Sequence, residues 1–222
     1  MQIQIVQADF DARAKEVEEY FDFVKTLLSA DSELSYTDKD GKPCAFSLTA
    51  DLPKTLKANG FLLVYNLVES TMKNAIETII LHLSSQGVSF DDLSSNVKIV
   101  ILKNTKRLSP ETLEPLFNQI GQDIIRETFK KDKLFSGNLD AREIRRTMDT
   151  FGIAKRHRIN GNCLLTIKEQ RNYLAHGTVS FAECGKDYDI TDLIKFKVEA
   201  QKYLQATLED IEQFLINGDY KK

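Results

Sequence analysis

The chain has few of the residues that break regular structure, with 10 glycines and 4 prolines among 222 residues, and it has no tryptophan. So little glycine and proline argues against a disordered or fibrous chain. The longest uninterrupted apolar run, from Phe61 to Tyr65, is too short to span a bilayer, so no membrane partner is expected. The first residues lack a basic start and a long apolar stretch, so no secretory signal is predicted.

Cysteine and histidine are also scarce. The three of each are scattered, with no Cys-x-x-Cys motif: Cys44, Cys163, Cys184, His82, His157 and His176. An odd number of widely spaced cysteines predicts neither a disulfide framework nor a Cys/His zinc site. The pattern favours ordinary thiols in a reducing cytoplasm.

Excess positive charge is absent as well, because the formal net charge is −3 and the isoelectric point is near 5.7. A globally basic nucleic-acid-binding protein is therefore excluded. If the chain binds RNA or DNA, its positive charge must be concentrated locally.

The hydrophobic pattern predicts an N-terminal helix followed by a small β-hairpin. The helix is expected from Asp9 or Asp11 to about Ser29, with acidic first turns and one apolar stripe. Residues 33–49 contain two short apolar stretches around Asp40-Gly41, a pair that is typical of hairpin turns.

A second long helix is predicted from Asp51, a plausible cap followed by Pro53, to about Ser84, with Gly60 as a point of kinking or interruption. Residues 61–83 are apolar nearly all round, which favours a central, buried helix. Residues 178–187 are predicted to be a connection. Further helical segments are expected over residues 90–103 (helical or extended), 109–131, 140–151, 163–175 and 190–216. The predicted fold is an all-α bundle of five to seven helices with one inserted hairpin.

One segment combines residues suited to phosphodiester chemistry, namely Arg171, Asn172 and His176 near the end of a predicted helix. Asn172 and His176 share a helix face, and Arg171 starts about 140° away around the axis. An imidazole can exchange protons near pH 7, and a guanidinium can hold two phosphate oxygens. Metal-free cleavage of RNA, with the 2′-hydroxyl as the attacking group, is the chemistry that this trio favours. The alternative is that His176 only stabilises the negative end of a helix dipole.

The full string Arg171-Asn172-Tyr173-Leu174-Ala175-His176-Gly177 resembles the Arg-Asn-x-x-x-His signature of the HEPN superfamily. Residues 63–69, 134–140 and 151–153 are also similar to stand-alone bacterial HEPN-like nucleases of toxin-type operons. The resemblance covers about residues 50–215. It divides the chain into an N-terminal helix and hairpin, residues 1–50, packed on a HEPN-like helical domain, residues 51–218.

The resemblance implies a homodimer in which two motifs meet in a shared cleft. It implies a metal-independent endoribonuclease that needs no cofactor and leaves a 2′,3′-cyclic phosphate and a 5′-hydroxyl. By position, Arg171 contacts the scissile phosphate, His176 transfers protons and Asn172 supports both. Thr178 stands where some family toxins carry a tyrosine that a partner modifies, so a different antitoxin mechanism is expected.

Two further features have both a functional and a structural interpretation. The first is a basic segment with a local balance of +4, which either lines an RNA groove or is a solvated face: Arg142, Arg145, Arg146, Lys155, Arg156 and Arg158. The second is Glu69, which with Asn66 lies in the most apolar helix and either orients Arg171 or His176 or closes a core hydrogen bond. Tyr173 is expected in the core with Leu165.

The function predicted from sequence is a cytoplasmic HEPN-type endoribonuclease, the toxin of a bacterial toxin–antitoxin or defence system with a cognate antitoxin protein. The first alternative is a catalytically inactive HEPN bundle that binds RNA or nucleotide. The second is a module for protein interaction alone.

Overall fold

The computed structural model of the chain describes residues 2–29, 33–105, 129–131, 134, 135 and 137–222. These ranges contain seven α-helices, one 3-10 turn and one two-stranded antiparallel sheet. In chain order the elements are α1 (Gln2–Leu27), β1 (Leu34–Thr37), β2 (Pro43–Phe46), α2 (Leu52–Ser85), a 3-10 turn (Phe90–Asp92), α3 (Ser95–Thr105), α4 (Ala141–Phe151), α5 (Cys163–Ala175), α6 (Phe181–Lys186) and α7 (Ile190–Asn217). The predicted all-α bundle with an inserted hairpin is confirmed.

Helix α2 is the centre of the bundle, because α1, α5, α6 and α7 all pack against it. Its buried residues include Phe61, Leu67 and Ile80, which lie at least 100° apart from one another around the helix axis. The prediction of a buried central helix is confirmed.

Gly60 does not interrupt α2. Instead, the Phe21 ring of α1 packs on it, and a β-carbon at this position would lie 2.9 Å from Phe21 Cζ. Asp51 precedes α2, but its carboxylate pairs with Lys54 at 2.8 Å rather than capping the helix.

Helix α1 begins earlier than its acidic residues suggest. Val6 and Phe10 are only 4% and 5% exposed, so the buried stripe continues toward the N-terminus beyond Asp9 and Asp11. The predicted start at those aspartates and the predicted acidic first turn are therefore wrong. The hairpin is confirmed, with Leu34 opposite Phe46 and a positive φ of 77° at Gly41.

The connection predicted over residues 178–187 contains helix α6. Ser180 and Glu183 form a capping box in which each side chain accepts from the other residue's backbone N–H, at 3.1 and 2.8 Å. The Ser-x-x-Glu spacing was a sequence signal for this helix, and the prediction of a connection is wrong. The 3-10 turn (Phe90–Asp92) and α3 (Ser95–Thr105) cover most of residues 90–103, so the helical alternative for that region is confirmed.

The predicted helix over residues 109–131 falls, apart from residues 129–131, outside the described residues. None of the helices in the described ranges combines the length and apolar character that crossing a bilayer requires.

Candidate functional site

Helix α5 carries the Arg171, Asn172 and His176 motif and has the predicted bounds. Ile167 and Leu174, both at most 7% exposed, face the core and fix the direction of the helix. The last turn is closed by hydrogen bonds from Gly177 N to the Leu174 carbonyl and from Thr178 N to the Tyr173 carbonyl. Gly177 has a φ of 66°, which a residue with a side chain rarely adopts. His176 therefore sits at the C-cap, on a regular and sharply terminated helix.

Arg171 is half-buried and held by neutral partners. Its guanidinium carbon lies 4.7 Å from the centroid of the Tyr65 ring, on the central helix α2. Its Nη1 donates to Asn172 Oδ1 at 3.0 Å, and Gly137 comes close enough that a β-carbon there would lie 3.1 Å from Nη1. Among the described residues no carboxylate lies within salt-bridge distance of this guanidinium, so none of them neutralises its charge.

Asn172 links Arg171 to the segment that precedes α4. Its Nδ2 donates to Asn138 Oδ1 at 3.0 Å, while its Oδ1 accepts from Arg171. An arginine can only donate, so Asn172 must present its oxygen to Arg171 and keep its amide group for Asn138. In this arrangement Asn172 supports Arg171 directly, and its amide does not hydrogen-bond to His176.

His176 is exposed, and in the described part of the chain no side chain hydrogen-bonds to its imidazole. Leu165 and Tyr173, on the same outer side of α5, are 46% and 44% exposed. The prediction that these two residues belong to the core is wrong, because the core side of α5 is already filled by Cys163, Leu164, Ile167 and Leu174. The imidazole thus lies at the C-terminal end of a helix side that carries two exposed, largely apolar side chains.

Asp140 connects the N-terminus of α4 to the middle of α5. Its Oδ1 accepts from the backbone N–H groups of Arg142 and Glu143, both at 3.0 Å, so Asp140 is the N-cap of α4. Its Oδ2 pairs with Lys168 Nζ at 2.9 Å, and both side chains are at most 16% exposed. Burial acts to raise the pKa of Asp140, but the Lys168 ammonium and the two backbone donors together hold it below its usual value.

Tyr65 joins the same segment to α2. Its hydroxyl oxygen accepts from Leu139 N at 3.2 Å, and both side chains are almost fully buried. Burial raises the pKa of Tyr65, and the nearby carboxylate of Glu69 raises it further. The hydroxyl is therefore un-ionised at neutral pH.

Glu69 forms an ion pair with Lys73, one turn further along α2, at 2.9 Å. Its side chain is 16% exposed, and neither Arg171 nor His176 is its ion-pair or hydrogen-bond partner. Asn66, expected to need a buried partner, is exposed to solvent.

The six residues of the basic segment lie in two groups. Arg142, Arg145 and Arg146 are on α4, where they line an open depression with Asp149 and Thr150. Arg145 also donates to the Asn160 carbonyl at 3.2 Å, and Arg146 faces Glu143 at 3.7 Å on the surface.

The other three residues lie in the loop between α4 and α5. Lys155 donates to the Ile159 carbonyl at 2.9 Å, and Arg156 faces Asp219 at 3.8 Å. Arg158 is exposed. The segment therefore presents its most compact positive surface on α4.

The three cysteines are free thiols. Burial raises the pKa of Cys163 to about 12 and that of Cys184 to about 11, which leaves both unreactive at neutral pH. In the described ranges, no three side chains of His, Cys, Asp or Glu converge as a metal site would require.

Sequence reasoning missed Tyr65, Asn138 and Lys168 as parts of this site. Tyr65 and Asn138 lie in segments that carry the predicted resemblance, but no sequence pattern assigned a role to any of the three residues. The contacts themselves join residues far apart in the chain, such as Asn138 and Asn172, which are 34 positions apart.

A family model described as MAE_28990-like HEPN matches residues 4–220, which is nearly the whole chain. The match begins within α1 and therefore includes the N-terminal helix and hairpin. No curated protein and no solved structure was found to match the chain.

Because Asp140 both caps α4 and pairs with Lys168, two substitutions at this position should lower the free energy of unfolding by different amounts. Asp140→Asn keeps a capping side chain but removes the charge opposite Lys168, and we expect it to lower the free energy of unfolding by about 1 kcal/mol at pH 7. Asp140→Ala removes both contacts and should cost about 2 kcal/mol or more. Urea unfolding measures both, with Asp149→Asn on the exposed face of α4 as the control.

The contribution of Asp140 to the free energy of unfolding should depend on pH in one direction. A carboxylate whose pKa is lowered by folding stabilises the protein above its unfolded value of about 3.9, and this contribution is lost as the pH falls through the lowered pKa. The advantage of wild type over Asp140→Asn should therefore be constant near neutrality and shrink in acid. An advantage that grows as the pH falls would contradict this assignment.

Proposed function

Because the chain belongs to the HEPN superfamily, a group generally associated with nuclease and RNA-related functions, we propose that it is a metal-independent endoribonuclease. The observation that carries this proposal is a half-buried guanidinium, Arg171, that has no counter-ion in the described part of the chain and lies near the same helix end as an exposed imidazole, His176. We place its action in the cytoplasm, as the toxin of a bacterial toxin–antitoxin or defence system restrained by a cognate antitoxin protein.

In the proposed reaction, the 2′-hydroxyl oxygen of the RNA forms a bond to the adjacent phosphorus as its proton passes to a His176 imidazole. The bond from phosphorus to the 5′-oxygen breaks, and an imidazolium returns a proton to that leaving oxygen. The products are a 2′,3′-cyclic phosphate and a 5′-hydroxyl. Arg171 stabilises the charge that builds on the phosphorane, an interaction of about 3–4 kcal/mol when the donor is preorganised.

The uncompensated charge of Arg171 supports this role. Among the described residues, its guanidinium makes one hydrogen bond, of 3.0 Å, from Nη1 to Asn172 Oδ1, and its carbon lies 4.7 Å from the centroid of the Tyr65 ring. Donors remain along the N–H edge of the group to bind two phosphate oxygens at once. Lys168, the neighbouring cation on α5, is already paired with Asp140 and is the weaker candidate.

A homodimer with a composite active site is part of the proposal. Arg171 and His176 are about 140° apart around α5, whereas His176 and Leu165 point within about 20° of each other. Leu165 and Tyr173 make the histidine side of α5 apolar and exposed. Pairing this face with its copy across a two-fold axis would bury both side chains and bring the two imidazoles into one cleft.

The basic surface of α4 supports an RNA path that leads away from this cleft. Arg142, the first of its cations, comes two residues after Asp140, which contacts α5 at Lys168. Lys168 and His176 are separated by about 12 Å along the helix axis at 1.5 Å per residue. RNA bound at His176 and extended by a few nucleotides toward α4 would reach these arginines, whose phosphate contacts add salt-dependent affinity.

Cleavage itself is the first test. Wild type should cut a labelled single-stranded RNA in the presence of EDTA, and His176→Ala and Arg171→Ala should each cut at least about 100-fold more slowly. Replacing every ribose by deoxyribose should abolish cutting, because the nucleophile is then absent. Asn74→Ala, a half-buried amide variant elsewhere on α2, serves as the control. Equally negligible cutting by wild type and His176→Ala would favour the catalytically inactive HEPN bundle.

The dimer is tested by Leu165→Glu. A carboxylate in a closed apolar interface should convert the protein to a monomer in sedimentation and reduce RNA cleavage at least about tenfold. Ile216→Glu, at a residue that is 69% exposed near the end of α7, should change neither property. A Leu165→Glu protein that stays dimeric, or that cuts as a monomer at the wild-type rate, would refute the composite site.

The RNA path is tested by replacing Arg142, Arg145 and Arg146 together with glutamine. Affinity for single-stranded RNA should fall, and the dependence of log K on log salt should become shallower by about 2, for three lost phosphate contacts. The charge-matched control replaces the exposed α1 residues Arg13, Lys15 and Lys25 with glutamine. An equal change in both triple variants would show that net charge, and not this surface, is responsible.

A further inference from the structure

The partners of Arg171 and Lys168 differ in a way that separates their roles. Lys168 faces the carboxylate of Asp140 at 2.9 Å, so its charge is neutralised within the protein. Arg171 is held by an aromatic ring and an amide oxygen, both of them neutral. Taking a cation partly out of water without a counter-ion is unfavourable unless an anion completes the site. The site around Arg171 is therefore built to orient a guanidinium while leaving its charge for a ligand.

We propose that Tyr65 and Asn138 are positioning residues that fix the Arg171 guanidinium before substrate arrives, and so determine its affinity for the scissile phosphate. This inference rests on the proposed ribonuclease function and extends it to two residues outside the Arg-Asn-x-x-x-His motif. Tyr65 restricts the position of the guanidinium, because the guanidinium carbon lies 4.7 Å from the centroid of its ring. Asn138 restricts the orientation of the group, because it holds the Asn172 amide, to which Arg171 donates.

The direction of the hydrogen-bond chain is forced by chemistry. Arg171 has only donors, so Asn172 offers it Oδ1, and the remaining amide group of Asn172 needs an acceptor. Asn138 Oδ1 supplies that acceptor at 3.0 Å. A hydrophobic residue at position 138 would leave Asn172 without this anchor, whereas an aspartate would keep the acceptor but add a negative charge close to the phosphate site.

Preorganisation gives these contacts a functional consequence. A free arginine side chain loses rotamer entropy when it is immobilised on a ligand. Here part of that ordering has already occurred on folding, since the guanidinium is held by the Tyr65 ring and by the hydrogen bond from Nη1. Asn138 is exposed, and an exposed hydrogen bond between amides adds little to global stability. Its main effect is expected on phosphate binding rather than on folding.

The segment that contains Asn138 is itself anchored on both sides. Leu139 N donates to the buried Tyr65 hydroxyl, and Asp140 is joined to Lys168. Tyr65 therefore makes two separate contacts. Its ring contacts the Arg171 guanidinium, and its hydroxyl accepts a hydrogen bond from Leu139 N, next to Asn138. Tyr65→Phe separates the two actions, because it keeps the ring and loses the acceptor.

The test is a double-mutant cycle on RNA affinity. Two labelled single-stranded probes of the same mixed sequence are used with the full chain in EDTA, one with ribose and one with 2′-deoxyribose throughout. The deoxyribose probe gives the affinity, because it cannot be cleaved. Asn138→Ala should weaken binding about five- to tenfold in the wild-type background and less than about twofold in the Arg171→Ala background. Asn138→Asp should weaken binding at least as much, through repulsion of phosphate. Asn74→Ala should leave affinity unchanged in both backgrounds.

The tyrosine variants complete the design. Tyr65→Phe should bind within about threefold of wild type, and Tyr65→Leu should resemble Asn138→Ala, provided that thermal unfolding shows both to be folded. The exposed Asn138 carries the test if Tyr65→Leu does not fold. The positioning role would be overturned if Asn138→Ala reduced RNA affinity by the same factor in the wild-type and Arg171→Ala backgrounds. It would also be overturned if Asn138→Ala bound and cleaved RNA like wild type. Failure of the proposed function is distinct, because then the ribose probe is not cut by wild type at all.

Discussion

The packing of residues 137–140 against α5 is the contact on which the rest of the site depends. Asp140 caps α4 and neutralises Lys168, Leu139 is tied to Tyr65, and Asn138 holds Asn172. Without this segment, Arg171 would keep the Tyr65 ring and Asn172 as neighbours, but Asn172 would lose the Asn138 acceptor that orients its amide. A short stretch of irregular chain thereby converts a helical sequence motif into a fixed arrangement of charge.

The distribution of charge along α5 follows from that packing. Two cations lie one turn apart, and within the described residues Lys168 has a carboxylate partner and Arg171 has none. The guanidinium of Arg171 and the exposed imidazole of His176 start about 140° apart around one regular helix. In the proposed homodimer, a second copy of α5 would bring an imidazole to the phosphate that Arg171 binds. The exposed Leu165 and Tyr173 on the histidine side provide apolar surface for that purpose.

Features set by chemistry within a few residues were predictable from the sequence. The Asp140 cap, the end of α4 at Gly152 and the end of α5 before Gly177 follow from side-chain acceptors and from positive φ, at 80° and 66° for the two glycines. The early start of α1 and the exposure of Tyr173 were not predictable in this way, because they depend on which side of a helix its neighbours cover. The contacts of Asn138 and Tyr65 were likewise hidden, since they join distant parts of the chain. Membership of the HEPN superfamily was predictable because the motif is contiguous.

The most direct measurement of the central claim is the chemical nature of the ends that the protein leaves on RNA. Attack by a 2′-hydroxyl, with Arg171 on the phosphate and His176 moving the protons, must leave a 2′,3′-cyclic phosphate and a 5′-hydroxyl. Mass spectrometry of fragments from a defined RNA, cut by wild type in EDTA, is expected to show these ends. Fragments with a 5′-phosphate and a 3′-hydroxyl would indicate attack by water, and would contradict the account.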